Sequence, residues 1–249
     1  MKKYFLLFTL LFSLFTIAQR NNLVEYQFIH KSGTNEKEHE YLIFNDSDLF
    51  YMNLTNKDNL NFEDARLNKT KINLEEIYIN LKTDSLYQQR LGMKDNKSTK
   101  VDWFLLAEEV PSIKWSLKKD SQKILGYTTY KAIANFRGRD YIVWYAPDIP
   151  VNHGPWKLNG LPGLILKAET DLFSYEATRI VLNSDSIKYF VNWTEKKIWS
   201  KKYSLNEIFN LENNWLEYLR SNIRASLPSG VIVQDKPLRN DSREFTLDE

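Results

Sequence analysis

Three observations predict a mainly β chain: an antiparallel meander or half-barrel of curved sheet with one C-terminal amphipathic helix. Short apolar runs with a period near two succeed one another along most of the sequence, as strands do. The period changes once, to helical spacing, after Ser204. Aromatic residues make up 14% of the chain, and their rings suit pleated, half-buried surfaces. A run of strands followed by one helix points to a helix packed on a sheet.

The strands are expected in this order. Leu23 to Lys31 alternates. Tyr41 to Phe44 and Leu49 to Leu54 flank Asn45-Asp46-Ser47-Asp48, a polar hairpin turn. Residues 56–73 are polar and weakly patterned and read as a loop. Glu75 to Thr83, Ser85 to Leu91, Ser98 to Val110 and Ile113 to Ile124 continue the series, punctuated by Pro111. Tyr130 to Phe136 and Tyr141 to Ala146 form a hairpin about Arg137-Gly138-Arg139. The second of these strands is apolar on both faces, which predicts a central strand or one beneath a second layer. Leu164 to Ala168, Tyr175 to Leu182 and Ile187 to Thr194 complete the sheet. The helix is expected over 204–226. Ser204 and Glu207 make a capping box. Leu205, Ile208, Phe209, Trp215, Leu216, Leu219 and Ile223 share a stripe that Glu212 interrupts.

The domain organisation follows from the ends. Lys2 and Lys3 precede an apolar run from Tyr4 to Ile17, with small residues up to Ala18. That is the pattern of a cleaved secretory signal over 1–18. The expected location is the periplasm, the outer-membrane surface or outside the cell. Residues 19–233 read as one β-rich domain and 234–249 as a polar tail. No second apolar run is long enough to span a bilayer, so no transmembrane segment is expected in the mature chain.

Composition excludes several chemistries. With no cysteine in 249 residues, thiolate catalysis, cysteine-type zinc sites and redox motifs are ruled out. The chain has 34 basic and 32 acidic residues. Removing Lys2 and Lys3 balances them, which gives no electrostatic case for a nucleic-acid partner. The histidines, His30, His39 and His153, form no metal-binding spacing, and no cofactor motif is present. Neighbouring carboxylates such as Glu108-Glu109 point to opposite faces of a strand, so they cannot act as a paired acid and base. No catalytic residues are assigned.

One segment stands apart. Residues Pro147 to Gly163 hold four of the seven prolines and three of the eight glycines. Prolines fix φ and glycines permit positive φ, so a rigid irregular loop is expected. Pro162-Gly163 suits the central positions of a type II turn. Gly160, Leu161, Pro162, Gly163, Leu164 and Ile165 read GLPGLI. Pro150, Gly154 and Pro155 precede them, as do Gly126-Tyr127, Lys131-Ala132, Trp144-Tyr145 and Trp156. On these residues the chain resembles the GLPGLI family, which implies an exported Gram-negative envelope protein of unassigned activity. Members often carry a cysteine near 127–130, where Thr128 and Thr129 stand here. At the level of fold the order of elements is also similar to LolA-like half-barrels.

Trp144, Tyr145, Asp148, His153 and Trp156 are the candidate binding residues. Rings in or beside a rigid loop can stack on a sugar or a lipid tail, or they can plug the sheet. Asp148 and His153 can bind, catalyse, or bond the local backbone. The expected function is a binding or carrier module for an apolar or glycan ligand. The alternatives are a structural or interaction component of an outer-membrane complex, with an envelope-protein partner, and an enzyme using Asp148 or His153.

Overall fold

The computed structural model describes residues 20–31, 37–54, 76–93, 101–187, 201–228 and 243–244. The expected signal, the loop over 56–73 and all of the strand over 187–194 except Ile187 lie outside them. Among the described residues twelve strands form one open sheet: β1 (Asn21–His30), β2 (Lys37–Phe44), β3 (Asp48–Leu54), β4 (Glu76–Asn80), β5 (Ser85–Met93), β6 (Val101–Glu109), β7 (Ser116–Ile124), β8 (Tyr127–Phe136), β9 (Arg139–Ala146), β10 (Leu164–Glu169), β11 (Phe173–Ser184) and β12 (Lys202–Tyr203). One helix among the described residues, α1 (Leu205–Ser226), follows. The predicted fold class is therefore the observed one.

The spatial order is β12-β6-β5-β4-β3-β2-β1-β11-β10-β9-β8-β7. Two meanders, β1 to β6 and β7 to β11, are joined where β1 pairs antiparallel with β11. Only β12 breaks the rule, lying parallel to β6. This order forces curvature. If flat, ten inter-strand spacings would hold β6 and β7 roughly 48 Å apart. Only residues 110–115 connect them, and seven Cα steps reach about 25 Å at full extension. The sheet must curl until the connection fits.

Turn chemistry sets the hairpins. Asn45 Oδ1 accepts from the Ser47 and Asp48 amides at 2.8 and 2.9 Å, an Asx-type turn. Arg137 (φ 52°) and Gly138 (φ 77°) are both left-handed, as a two-residue type I′ hairpin between β8 and β9 requires.

Alternation then fills the concave face with Val24, Tyr26, Phe28, Leu42, Tyr51, Ile77, Ile79, Leu86, Tyr141, Val143, Phe173 and Tyr175. A smaller cluster of Leu23, Tyr41, Ile43, Met52 and Ile187 lies on the convex side. β9 is an inner strand of the sheet, between β10 and β8. Its Tyr141/Val143/Tyr145 face is buried, while Ile142 on the other face is 40% exposed. The long apolar run of this strand therefore reflects one core face and one partly open face.

Helix α1 begins with the expected capping box: the Glu207 amide donates to Ser204 Oγ, and the Ser204 amide donates to Glu207 Oε2 at 2.8 Å. Its first turns cover Phe104 and Leu106 of β6 with Leu205 and Ile208, the only two buried residues of the helix. Glu212, the break in the stripe, faces Arg90.

Candidate functional site: a plugged concavity with a buried ion cluster

The Pro147–Gly163 loop folds into the curved sheet and is part of its core. Ile149, Trp156, Leu158 and Leu161 are all at most 3% exposed. The Trp156 ring centroid lies 5.7 Å from that of Phe136. The loop holds its shape through its own backbone. The Ile149 amide donates to Ala146 O, Gly160 to Asn152 O, Leu164 to Ile149 O, and Ile165 to His153 O, at 2.8–3.1 Å.

Two further bonds close γ-turns centred on proline: Val151 N–H to Ile149 O across Pro150 at 2.7 Å, and Gly163 N–H to Leu161 O across Pro162 at 2.8 Å. The type II turn expected at Pro162-Gly163 is thus replaced by a tighter one. The fixed φ of proline suits the centre of an inverse γ-turn. Gly163 is needed for a different reason. A Cβ there would lie 2.3 Å from the Ala146 carbonyl oxygen. Likewise a Cβ on Gly154 would meet Ile165 Cβ at 2.6 Å, so Gly154 lets the loop lie flat on β10. A bulge in β10 between Ile165 and Lys167 leaves Ile165 O to accept from the buried Tyr26 hydroxyl, at 2.7 Å. Burial raises that phenol well above its usual pKa.

The five predicted binding residues are spread over three environments. Trp144 is half-buried on the convex face, with Lys131 Nζ 6.0 Å above its ring. Tyr145 points the other way, into the core. Asp148 is exposed. His153 and Trp156 are buried in the plug, so Trp156, at 1% exposure, offers no ring face to solvent. Burial lowers the His153 pKa to about 4, against a smaller opposing pull from Asp84, so at neutral pH the ring is uncharged. Pro155, Leu161, Leu164 and Ile165 are buried with the plug, whereas Pro150, Gly160 and Pro162 face solvent.

Sequence reasoning missed the most unusual group in the concavity. Lys157, 1% exposed, extends from the plug between two carboxylates. Its Nζ lies 2.6 Å from Glu108 Oε1 and 2.6 Å from Glu244 Oε1. Arg137 Nη2 holds the other Glu108 oxygen at 2.8 Å. Arg90 Nη1 holds the other Glu244 oxygen at 2.5 Å and reaches Glu212 at 3.4 Å. Burial works to raise the Glu244 pKa, but Lys157, Arg90 and Arg137 together more than offset it and hold the carboxyl below its ordinary range.

Beside this cluster the Arg243 guanidinium pairs with Glu40 and sits 4.6 Å from the Phe28 ring centroid, 5.4 Å from Tyr175 and 6.0 Å from Tyr51. The expected polar tail is thus anchored, at its two described residues, deep in the sheet. A Lys in a loop and a Glu in a charged tail carry no periodic signal. Only Glu212, a charge in an apolar stripe, hinted that the concave face is ionic. Among the described residues no three His, Asp or Glu side chains converge to hold a metal, and no described helix is long and apolar enough to cross a membrane.

A single open β sheet, plugged by its own loop and cross-tied by buried ion pairs, defines a compact β-bowl module. Residues 24–198 match the family described as N-glycanase peptide, N-terminal domain, and the chain belongs to that family. Two crystal structures of PNGF-II share the fold. The C2 form has a TM-score of 0.54 at 19% identity over 80% of this chain and 33% of that one. The P21 form has 0.50 at 20% identity over 74% and 31%. The chain spans about a third of the length of that protein. No curated protein matches.

Proposed function

We propose that this protein is a glycan-recognition module of the cell envelope that binds N-linked glycan on glycoproteins. The observation that carries this reading is its membership of the N-glycanase N-terminal-domain family. The convex patch about Trp144 supplies suitable chemistry. A half-buried indole stands beside exposed Ile142 and under Lys131. Lys167 lies across the strand from it and is paired with Glu169 and Glu176 at 3.1 and 3.3 Å. Sugars present apolar C–H faces that stack on rings and hydroxyls that bond to charged groups, and a ring flanked by a few polar groups meets both needs.

An apolar cargo is the weaker reading, because Ile149, Trp156, Leu158 and Leu161 already fill the apolar side of the concavity. An acid–base enzyme built on Asp148 and His153 is weaker still. Asp148 is in solvent, while His153 is buried and feels Asp84 instead. The GLPGLI resemblance and the secretory pattern at the start of the sequence support an envelope or extracellular setting for this role.

The test is calorimetric titration of an N-linked glycopeptide into the protein and into Trp144→Ala. Saturable binding that weakens tenfold or more in the variant, with an unchanged melting temperature, is expected. Equal binding by both proteins would place the glycan elsewhere. No binding to the protein itself would sink the reading.

A further inference from the structure

We infer that the concave face carries a second, independent site, a dipeptide receptor. It reads a guanidinium followed directly by a carboxylate, and the chain's own Arg243 and Glu244 occupy it in cis. The occupant in trans is an extended segment of a partner protein with the same Arg-Glu order.

Two adjoining cages make the site, and their described walls come from strands, a turn and a loop distant in sequence from 243–244. The anion cage joins Arg90 of β5, Arg137 of the β8–β9 turn and Lys157 of the plug, all within 3.9 Å of one Glu244 oxygen or the other. The cation cage joins Glu40 of β2 with the rings of Phe28, Tyr51 and Tyr175 from β1, β3 and β11. A ring face attracts a guanidinium through its quadrupole, and a desolvated carboxylate adds a charge-assisted bond.

The charge balance requires an occupant. Without Glu244 the three cations of the first cage face, among the described residues, Glu108 and Glu212. One carboxylate is missing, and buried cations without a counter-charge are costly.

The fit of the cis occupant is incomplete. Arg137 Nε lies 3.9 Å from Glu244, beyond hydrogen-bond range, and is buried with no hydrogen-bond partner among the described residues. The Tyr141 hydroxyl, on a residue 1% exposed, is in the same condition. The Tyr141 ring centroid lies 6.1 Å from that of Phe173, which lies 5.9 Å from that of Phe28 in the cation cage. Buried donors left over in this way mark a site that can bond more than its present occupant offers.

The experiment uses the full chain carrying Arg243→Ala and Glu244→Ala together, with a fluorescent synthetic peptide of residues 239–249 as probe, read by anisotropy. One peptide should bind per folded variant chain. The unsubstituted chain should bind it at least 50-fold more weakly, because its own segment competes at roughly millimolar effective concentration. A peptide with the Arg and Glu exchanged should bind at least tenfold more weakly to the variant. A folded variant that ignores the peptide, binds both orders equally, or binds no better than the unsubstituted chain overturns the inference. If the double variant does not fold, Arg243→Gln with Glu244→Gln, which removes both charges and keeps side chains of similar length, carries the same titration, and failure to bind there has the same force. Glycopeptide titration reads the Trp144 patch separately, so either site can fail without the other.

Discussion

The plug and the helix invert what their sequences suggest. Helix α1 has 22 residues, a capping box and a regular apolar stripe, yet it buries only Leu205 and Ile208. The plug has 17 residues from Pro147 to Gly163 and no regular structure beyond a single bridge between His153 and Asn159, yet it buries every residue from His153 to Asn159 and seats a charged lysine in the core. Regular periodicity shows that a segment has an apolar face. It does not show how much of that face will be covered. Fixed dihedrals do something else: they let an irregular segment meet a core at defined points, because little entropy remains to be lost.

Three outcomes would sharpen or break this contrast. The largest effect should come from Trp156→Ala, which empties the centre of the plug. A loss of about 3–5 kcal/mol is expected, read from urea unfolding monitored by circular dichroism. A loss below 1 kcal/mol would mean the plug is an ornament. The next effect depends on pH. His153 binds a proton less readily folded, at about 4, than unfolded, near 6.5. Between those values the unfolded chain holds more protons, so stability falls as pH drops from about 6.5 to 4, by roughly 3 kcal/mol. Glu244, whose folded pKa is lowered, adds its own loss only further down, as the carboxylate range is entered. His153→Asn should flatten the upper window and leave the lower one, and unchanged slopes in both would refute the assignment. The smallest effect should come from the helix. Ser204→Ala should cost about 1 kcal/mol, and Ile223→Ser, at a residue 56% exposed, less than about 0.5 kcal/mol.

What could be read in advance follows the same division. The strands, the Asn45 turn, the Arg137-Gly138 turn and the capped helix were legible because each rests on neighbours in sequence. The rigidity of Pro147 to Gly163 was legible too, since proline and glycine act on their own dihedrals. Its destination was not. The partners that draw it in, Phe136, Ile165 and Glu108, come from three separate strands, and no local pattern encodes that meeting. The pairing of β1 with β11 is hidden for the same reason, because it joins residues more than 140 positions apart. Arg243 and Glu244 fall in the stretch read as a polar tail, and nothing local marks them for burial. Their burial depends on counter-charges at Glu40 and Arg90 on strands, Arg137 in a turn and Lys157 in the plug, which only the folded sheet brings together.

The two rims of the sheet bear on how the molecule behaves in company. At one rim β12 is two residues long and leads straight into α1. At the other, β7 presents Lys118, Lys119, Asp120 and Lys123, and all but its last residue are exposed. A strand from a second molecule arriving at that rim would have to lay its backbone alongside a lysine-rich row, and edge lysines are a common guard against such stacking. Strand-upon-strand growth of copies into a filament is opposed at that rim.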